Sequence, residues 1–418
     1  MRDDAIAITG AGVTCSLGRS TDELYSALVS GKCGIGKTVG YVAEGMEMIP
    51  SAQAPCLDAS SLGISQKNVR IMDTHSYLLM ESAIAAFKAA GFGIDTFYAD
   101  KIAFYAGIGM VDYEIADLLQ AVLKSHNHEF SYDTFFTNGY REIFPLWPLS
   151  MLNNIAFCQS SIRLGLKGDN TVFSPHGESA VYAISEGASS LLGGKSTAVI
   201  AGGISEKVNP QSLIRARYFD ILTKDNELRP FSQNRAGTVL GEAGAFITME
   251  LCSFAKERGM SPVSSIAGWG FAFDCNKGRA FPTTEAISHS MEAAINHCGI
   301  YPDDIDVLIA YADGTASDTN EIEAINAVFS RCGKLLVTAT TGAIGNTLAA
   351  APVVNIIVAD SMIKHGLIPP SVSSTPVDNK AEFNIVVDTP VKAKINNVLI
   401  NSLSYEGHAS SVVVQRLQ

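Results

Sequence analysis

Short apolar runs typical of buried strands alternate with longer helical patterns along the whole chain, and this alternation limits the fold more than any other feature. Strand-like runs such as KIAFYAGIG and DIDVLIAYADG end in glycine or small polar residues. Helical runs such as SYLLMESAIAAFKAAGF and TTEAISHSMEAAINHCG place apolar residues at helical spacing and end at or near a glycine. The alternation predicts an α/β fold in which helices form layers on sheets.

The length and apolar content predict two halves around a large core. The chain has 418 residues, 47% of them hydrophobic, which is enough for two domains or one large duplicated α/β unit. A polar stretch with Gly and Pro, LCSFAKERGMSPVS, spans 251–264 and is typical of a connection. We therefore predict an N-terminal half at 1–252 and a C-terminal half at 253–418.

Charge and cysteine content exclude several classes of protein. The net charge of −12 gives no electrostatic basis for binding nucleic acid or an anionic membrane. The eight cysteines are scattered without a C-x-x-C pair, which argues against disulfides and zinc and favours a reducing compartment. The start MRDDAIAITGAG carries acids where a signal peptide has bases, and no apolar run approaches bilayer length. We expect a soluble cytoplasmic protein.

Two local patterns resemble ligand sites but fit poorly. Gly10, Gly12 and Gly18 of ITGAGVTCSLG do not form G-x-G-x-x-G, so we expect a strand-to-loop turn there and no dinucleotide. His126 and His128 form H-x-H without an evident third ligand, so we expect a solvated loop instead of a metal site. The sequence predicts neither metal nor cofactor.

The stretch TVFSPHGESAVYAISEGASSLLGG, residues 171–194, predicts a strand, a sharp turn and a helix, the geometry that exposes a nucleophile in many enzymes. Its GESA resembles most of the G-x-S-x-G elbow, with Ser179 as the candidate nucleophile. However, Val181 is bulky where the elbow needs a small residue. The alternative, which we favour, is that Ser179 lies in the first helical turn and bonds a backbone group.

Seven segments together resemble the β-ketoacyl synthase family of the thiolase fold, in the family's order and nearly end to end. The resemblance implies a thiolase-like, duplicated fold of five α-β-α-β-α layers. The segments are ITGAGVTCSLGRSTDELYSALVSGKCGIG, FPLWPLSMLNNIAFCQSSIRLGLKGDNTVFS, LRPFSQNRAGTVLGEAGAFITME, YADGTASDTNEIEA, TATTGAIGNTLAAAPVV, HGLIPPSV and INSLSYEGHAS.

The family's catalytic positions are degenerate in this chain. Condensing members use a cysteine at the strand–helix turn, and that position falls on Gly177, which has no side chain to acylate. The histidine of A-H-G-T is replaced by Asp313. Matched to K-x-x-T-G-H, the lysine becomes Thr338 and the second histidine Ala343, while the G-F-G-G loop carries Glu406.

These replacements remove the chemistry of condensation. Decarboxylative condensation builds negative charge on a thioester oxygen and needs donors or cations around it. Asp313 and Glu406 would present acceptors to the same volume and repel the malonyl carboxylate. The framework is nevertheless kept, including Gly241, Glu242 and Gly244 of the GEAGA block.

Within the family, the pattern resembles the chain-length factor subgroup, which reads A-D-G and lacks the second histidine; Gly177 departs from the Gln usual there. The resemblance implies an inactive subunit that pairs with an active ketosynthase and closes its acyl tunnel, thereby setting product length in aryl-polyene or polyketide biosynthesis. Acyl carrier protein would then be met through the ketosynthase. Two alternatives stay open: a hydrolase or transferase that uses Ser179, and a homodimeric acyl-binding scaffold.

The stretch GMVDYEIADLLQAVLKS resembles the gate helix of chain-length factors. Tyr113, Ala116 and Gln120 would share one helix face and end the tunnel, although ordinary core packing explains the same spacing. The expected interface with the ketosynthase comprises Phe144, Leu146, Trp147 and the strand residues Thr171, Val172, Phe173 and Ser174.

Overall fold

The computed structural model describes residues 4–40, 48–69, 71–93, 99–127, 129–274, 281–330 and 332–418. The β-strands within them are β1 Ile6–Cys15, β2 Gly36–Lys37, β3 Pro50–Ser51, β4 Ile102–Ile108, β5 His126–Asn127, β6 Glu129–Phe130, β7 Asn170–Phe173, β8 Ala198–Ile204, β9 Ala243–Leu251, β10 Ser264–Phe273, β11 Val307–Ala310, β12 Leu336–Ala339, β13 Leu367–Ile368, β14 Asn384–Ile385, β15 Val391–Lys392, β16 Asn397–Leu403 and β17 His408–Arg416.

Helices connect most of the long strands. They are α1 Thr21–Val29, α2 Gln66–Val69, α3 Thr74–Ala89, α4 Ile115–Lys124, α5 Tyr132–Thr137, α6 Trp147–Ser150, α7 Asn153–Leu164, α8 Gly177–Leu192, α9 Pro210–Tyr218, α10 Cys252–Glu257, α11 Thr284–Cys298, α12 Ser317–Phe329, α13 Thr341–Ile344 and α14 Ala351–His365, with short 3₁₀ turns at Ala99–Lys101, Gly139–Glu142, Pro302–Asp304 and Leu348–Ala350.

The two halves repeat one strand topology. In the first half the order is β7-β4-β8-β9-β1, parallel from β7 to β8 and antiparallel from β8 to β1. In the second half, β12-β11-β16-β17-β10 repeats this order and these directions. A short pairing of Ile6 with Ile266 and Ala7 with Ser265 joins the halves into one 11-stranded sheet. The predicted duplication is confirmed.

Helices lie on both outer faces and between the halves of the sheet. α8 and α14 contact each other and strands of both halves, so they form the middle layer. α3 packs outside the first half and α11 outside the second. The largest core cluster lines the middle layer with alanine, valine and isoleucine from both halves. The fold is therefore the thiolase-like, five-layer α/β arrangement expected from the sequence.

The glycines of the first strand correct one expectation. Gly10 and Gly12 do not form a strand-to-loop turn, because β1 runs through both without ending. A Cβ on either glycine would overlap the backbone of α3, at the carbonyls of Ala86 and Ser82 respectively. The glycines thus let helix and strand approach closely, which explains them without a nucleotide.

Two further features bear on the organisation of the chain. The 18-residue window Leu348–His365 is long and apolar enough to cross a membrane, yet 78% of it is buried inside the protein, as in the core helix of a soluble protein. At the predicted boundary, β9 ends at Leu251 and β10 begins at Ser264, with the short helix α10 between them.

Candidate functional site

The turn between β7 and α8 places Gly177 at the start of the helix, where it is buried. His176 is the N-cap residue, but its side chain makes no capping hydrogen bond. A Cβ on Gly177 would overlap the hydroxyl of Ser402, whose Oγ is buried without a partner among the described residues. The turn keeps the shape that presents a nucleophile and offers only backbone at its tip.

Ser179 has the structural role that the sequence favoured. It lies in the first turn of α8, is 1% exposed and donates its hydroxyl to the carbonyl oxygen of His176. That hydroxyl is therefore directed at a backbone acceptor and not at a base that could activate it. The prediction that Ser179 bonds a backbone group is confirmed.

Asp313 is fully buried and holds its own loop together. Its Oδ1 accepts hydrogen bonds from the backbone N–H of Thr315 at 3.1 Å, from the Thr315 hydroxyl at 2.6 Å and from the Ser317 hydroxyl at 3.2 Å. Burial raises the pKa of the Asp313 carboxyl, and the hydrogen bonds from Thr315 and Ser317 offset part of that rise. The carboxyl is thus a structural acceptor in place of a donor to a substrate oxygen.

Asn346 occupies the place opposite Asp313 that sequence matching had given to Ala343. Its Nδ2 lies 3.5 Å from Asp313 Oδ2 and 2.8 Å from the hydroxyls of both Tyr311 and Tyr405. Ala343 instead belongs to the apolar core, and its carbonyl accepts from the N–H of Gly34.

The motif K-x-x-T-G-H therefore has a second register, which ends at Gly345-Asn346 and puts Thr341 at the lysine position. Thr341 donates to the carbonyl of Ala312 at 2.6 Å, beside Asp313. Thr338 faces elsewhere and donates to the carbonyl of Pro369 at 2.7 Å. The assignment of Thr338 and Ala343 to the two catalytic positions is corrected to Thr341 and Asn346.

Two more buried carboxyls stabilise the backbone around Asp313. Asp318 accepts from the N–H groups of Phe231 at 2.8 Å and Gly314 at 3.1 Å. Glu321 accepts from the N–H groups of Tyr311 and Ala312 at 3.0 and 2.8 Å. Burial raises the pKa of both carboxyls, and that of Asp318 is raised further by the charge of Asp313. The site is consequently rich in acceptors.

His176 lies between two glutamates. Its Nδ1 is 3.9 Å from Glu206 Oε1 and makes no hydrogen bond among the described residues, and its Nε2 is 3.6 Å from Glu406 Oε1. Glu406 has a side chain that is 57% exposed. The expectation that Glu406 shares the volume of Asp313 is therefore wrong, because this carboxylate points towards solvent and His176.

Aromatic side chains fill the space above the turn. Tyr405, next to Glu406, is 6% exposed, and its ring lies 5.9 Å from that of His176, 6.5 Å from Phe219 and 5.8 Å from Phe281. The cavity that remains is about 20 Å³, lined by His176, Glu206, Ser212, Arg215, Ala216, Phe219, Ile221, Leu240, Leu348 and Tyr405. It holds about one water molecule and has no room for an acyl chain.

The candidate gate differs from the prediction at its first residue. Helix α4 begins at Ile115, so Tyr113 precedes the helix and does not share a helical face with Ala116 and Gln120. All three side chains are exposed in this chain, which excludes the alternative that they are ordinary core. Tyr113 packs edge-on against Trp147 at 6.2 Å, so the structure brings the gate and one predicted interface residue together.

Most of the large exposed apolar side chains in the described part of the protein fall in one segment, 110–162, which we call the exposed apolar segment. Phe144 and Leu146 are 36% and 47% exposed. The other members are Met110, Tyr113, Ile115, Leu119, Val122, Leu123, Phe130, Tyr132, Phe136, Tyr140, Leu152 and Ile162. Soluble monomers rarely leave so much apolar surface uncovered.

Strand β7, which contains Thr171, Val172 and Phe173, pairs with β4 and ends the 11-stranded sheet. Thr171 and Ser174 are exposed, while Val172 and Phe173 are half-buried. No strand of the described residues pairs with the other edge of β7, which lies next to α7. An open edge offers a row of backbone donors and acceptors for a further strand.

Within the described residues, no three His, Cys, Asp or Glu side chains form a group that could hold a metal ion. His126 lies in β5, and His128 falls outside the described residues.

The sequence analysis assigned no role to several residues of the site, namely Asn346, Tyr311, Tyr405, His176 and Arg215. For Asn346 a signal existed, because TGAIGN at 341–346 fits the six-residue spacing of K-x-x-T-G-H, with Gly345 at the glycine of the motif. For the bond of Arg215 to Asp112 there was none, because the two residues lie 103 positions apart in the chain. The other partner of Arg215, Glu206, lies nine positions before it.

Comparison with known families gives two adjoining matches. The model described as "Beta-ketoacyl synthase, N-terminal domain" matches residues 3–253. The model described as "Beta-ketoacyl synthase, C-terminal domain" matches residues 263–375. The two matches follow each other in the order of the two structural halves.

Curated relatives are similar over the full length. The chain is 26% identical to 3-oxoacyl-[acyl-carrier-protein] synthase 2 of Coxiella burnetii, with 100% of both chains covered. It is 26% identical to Nodulation protein E of Rhizobium meliloti, with 97% of each covered.

Solved structures share the fold at lower identity. The ishigamide ketosynthase/chain length factor matches with a TM-score of 0.87 at 20% identity, covering 99% of each chain. A β-ketoacyl synthase from Burkholderia phymatum matches with a TM-score of 0.85 at 21% identity, covering 99% of this chain and all of that one.

Proposed function

The chain belongs to the β-ketoacyl synthase family, and we propose that within this family it is a non-catalytic chain-length factor. In this role it pairs with an active β-ketoacyl synthase and closes the far end of that enzyme's acyl tunnel. The distance to the closure then limits the length of the product, in aryl-polyene or polyketide biosynthesis. The protein itself forms and breaks no bond.

One observation carries the proposal: the three positions of the condensing site hold Gly177, Asp313 and Asn346. Gly177 offers no atom to acylate. Asp313 is a hydrogen-bond acceptor, and Asn346 donates its side-chain N–H groups to the hydroxyls of Tyr311 and Tyr405. A malonyl carboxylate entering this volume would meet buried carboxyls, and the guanidinium that lines the neighbouring cavity, Arg215, is already paired with Asp112 and Glu206. This arrangement opposes the charge that condensation develops.

The surface supports a partner. The exposed apolar segment flanks the open edge of β7, so one interface could cover both features. Covering them removes apolar area from water and pairs the edge of the strand. A partner of the same fold has a matching edge, which favours an edge-to-edge dimer with a ketosynthase.

The docking site of the carrier protein and the cellular compartment can both be proposed from the same role. Carrier proteins are acidic, and this chain carries a net charge of −12, so electrostatics favour docking on the ketosynthase subunit. The reducing environment predicted from the scattered cysteines agrees with a cytoplasmic pathway.

Co-expression tests the proposal directly. The tagged protein is produced together with a β-ketoacyl synthase of the same genome, and the complex is analysed by size-exclusion chromatography with light scattering. We expect a one-to-one complex that extends malonyl units, whereas this chain alone extends none. Leu146→Asp is expected to prevent the complex, because it puts a charge into the interface.

The matched control is Val39→Asp, since Val39 is 70% exposed and lies outside the exposed apolar segment. This variant should form the complex normally. A homodimer that ignores the ketosynthase would favour the scaffold alternative. Elongation or hydrolysis of an acyl thioester by the purified chain alone would contradict the proposal.

A further inference from the structure

The gate helix α4 is held mainly at its C-terminal end, where the 3₁₀ turn Gly139–Glu142 packs against it and forms an ion pair with it. Only Ala121 is buried among its ten residues. Its N-cap residue, Glu114, makes no side-chain capping hydrogen bond. The first turn, which carries Ala116, lies at the other end of the helix and directly follows the residues just before it, so whatever holds those residues also bears on the first turn.

Three side chains from one neighbouring segment hold those residues. Arg215 forms two parallel bonds to Asp112, from Nη1 to Oδ1 and from Nη2 to Oδ2, both at 3.1 Å. Gln211 Nε2 donates to the carbonyl oxygen of Tyr113 at 2.7 Å.

The third side chain, Lys207, forms an ion pair with the next residue along the chain. Lys207 Nζ pairs with the carboxylate of Glu114 and lies 3.8 Å from Asp73 Oδ2. Residues 112, 113 and 114 are thus each bound by one side chain of the segment 206–215, which we call the gate clamp.

The gate clamp itself is firmly anchored. Helix α9 begins with a capping box between Asn209 and Ser212, and its Leu213 and Ala216 are buried. Arg215 also pairs with Glu206 at 2.6 Å, a side chain that is 6% exposed. Two parallel bonds from a guanidinium fix direction as well as distance. The clamp can therefore act as a rigid reference for the gate.

We propose that Arg215 and Gln211 are positioning residues that fix product length by holding residues 112–114, and with them the first turn of the gate helix, at one place. This inference rests on the proposed chain-length role. Neither side chain needs to touch the acyl chain. With the clamp weakened, α4 would take several positions, and the tunnel would end at several depths.

The gate clamp also contacts the turn that precedes Gly177. Glu206 Oε1 lies 3.9 Å from His176 Nδ1 on one side, and Glu206 Oε2 binds Arg215 on the other. The polar residues kept around Gly177 thereby gain a role that needs no chemistry, namely support for the gate.

The test uses the complete complex with the ketosynthase and measures the length distribution of its products by mass spectrometry. Arg215→Lys keeps the charge but cannot form two parallel bonds to Asp112. Gln211→Ala removes a single neutral hydrogen bond and leaves both ion pairs intact. The matched control is Arg217→Lys, an exposed arginine on the same helix.

We expect both clamp variants to form the one-to-one complex, to keep total product within about twofold, and to replace one dominant length by a spread over at least two neighbouring lengths. Arg217→Lys should keep the parental distribution. If Arg215→Lys does not fold, Gln211→Ala decides alone.

An unchanged length distribution from complexes that form normally would overturn the clamp while leaving the chain-length role intact. Failure of the parental chain to form any complex would instead overturn the proposed function, so the two failures are distinguishable.

Discussion

The side-chain amide of Asn346 lies 2.8 Å from the hydroxyl oxygen of Tyr405. This hydrogen bond holds in place the aromatic ring that fills most of the space above the turn at Gly177. The same amide bonds Tyr311 at 2.8 Å, so two buried phenols share one donor group. The N–H groups of this amide are thus engaged by the two phenols and are not directed at a substrate oxygen, whose developing charge a condensing site has to stabilise.

Breaking this network should cost stability in a graded way. Tyr405→Phe removes one hydrogen bond and should lower the free energy of unfolding by about 0.5–1.5 kcal/mol, whereas Asn346→Leu leaves both phenols without their donor and should cost more. Urea unfolding measures the difference. Tyr218→Phe, at a side chain that is 84% exposed, serves as the control and should change stability by less than about 0.5 kcal/mol. Equal losses in Tyr405→Phe and Asn346→Leu would argue against a shared donor.

The buried carboxyls predict the sign of a pH dependence. Burial raises the pKa of Asp313 above its usual 3.8, so the folded state binds a proton more tightly than the unfolded state does. This contribution to stability is complete below about pH 4 and is lost as the pH rises towards the raised pKa. Asp313→Asn should therefore lose less stability than the parent protein between pH 4 and neutrality, because it cannot ionise. If the free energies of unfolding of the two proteins changed equally with pH, the raised pKa of Asp313 would be refuted.

Gly177→Cys should fold and remain unable to condense. The new side chain has to displace the Ser402 hydroxyl, which can rotate, but neither Asp313 nor Asn346 supplies the cationic or imidazole donor that the two histidines of condensing members supply. Incubation with an acyl thioester and malonyl carrier protein, followed by mass spectrometry, is the measurement. A chain extended by two carbons would show that the lost nucleophile alone accounts for inactivity.

Ala116→Phe should shorten the products of the complex without abolishing synthesis. The alanine is exposed on the first turn of α4, so a phenyl ring there would project into the tunnel end under the proposed arrangement. Product length is read by mass spectrometry, with Ala327→Phe, an exposed alanine on α12, as the control. Unchanged length would remove Ala116 from the gate and would leave subunit pairing untouched.

The apolar periods of strands and helices predicted a layered α/β fold, whereas the duplicated five-layer arrangement was implied by the resemblance to the β-ketoacyl synthase family. The sequence did not reveal β10 as a strand, since Gly268 and Gly270 interrupt the apolar pattern. Both glycines lie where a Cβ would overlap the backbone of α11. Close contact between α11 and the sheet thus requires glycine at these two positions, and the apolar side chains by which a strand is recognised in a sequence are absent there.

The site was harder to predict than the fold, for a local reason. The letters Thr341-Gly342 match the family motif, whereas the true turn is at Gly345, which has a φ of +71°. A backbone conformation of this kind cannot be recognised from two matching letters. Long-range pairs such as Arg215 with Asp112 carry no sequence signal at all.

The uncovered margin of β7 also bears on how the protein survives in a cell. Any extended peptide can add to that margin, including another unfolded copy, so an orphan molecule is exposed to aggregation and to proteases. The amount that persists would then follow the supply of whatever covers the strand, more than the rate of its own synthesis.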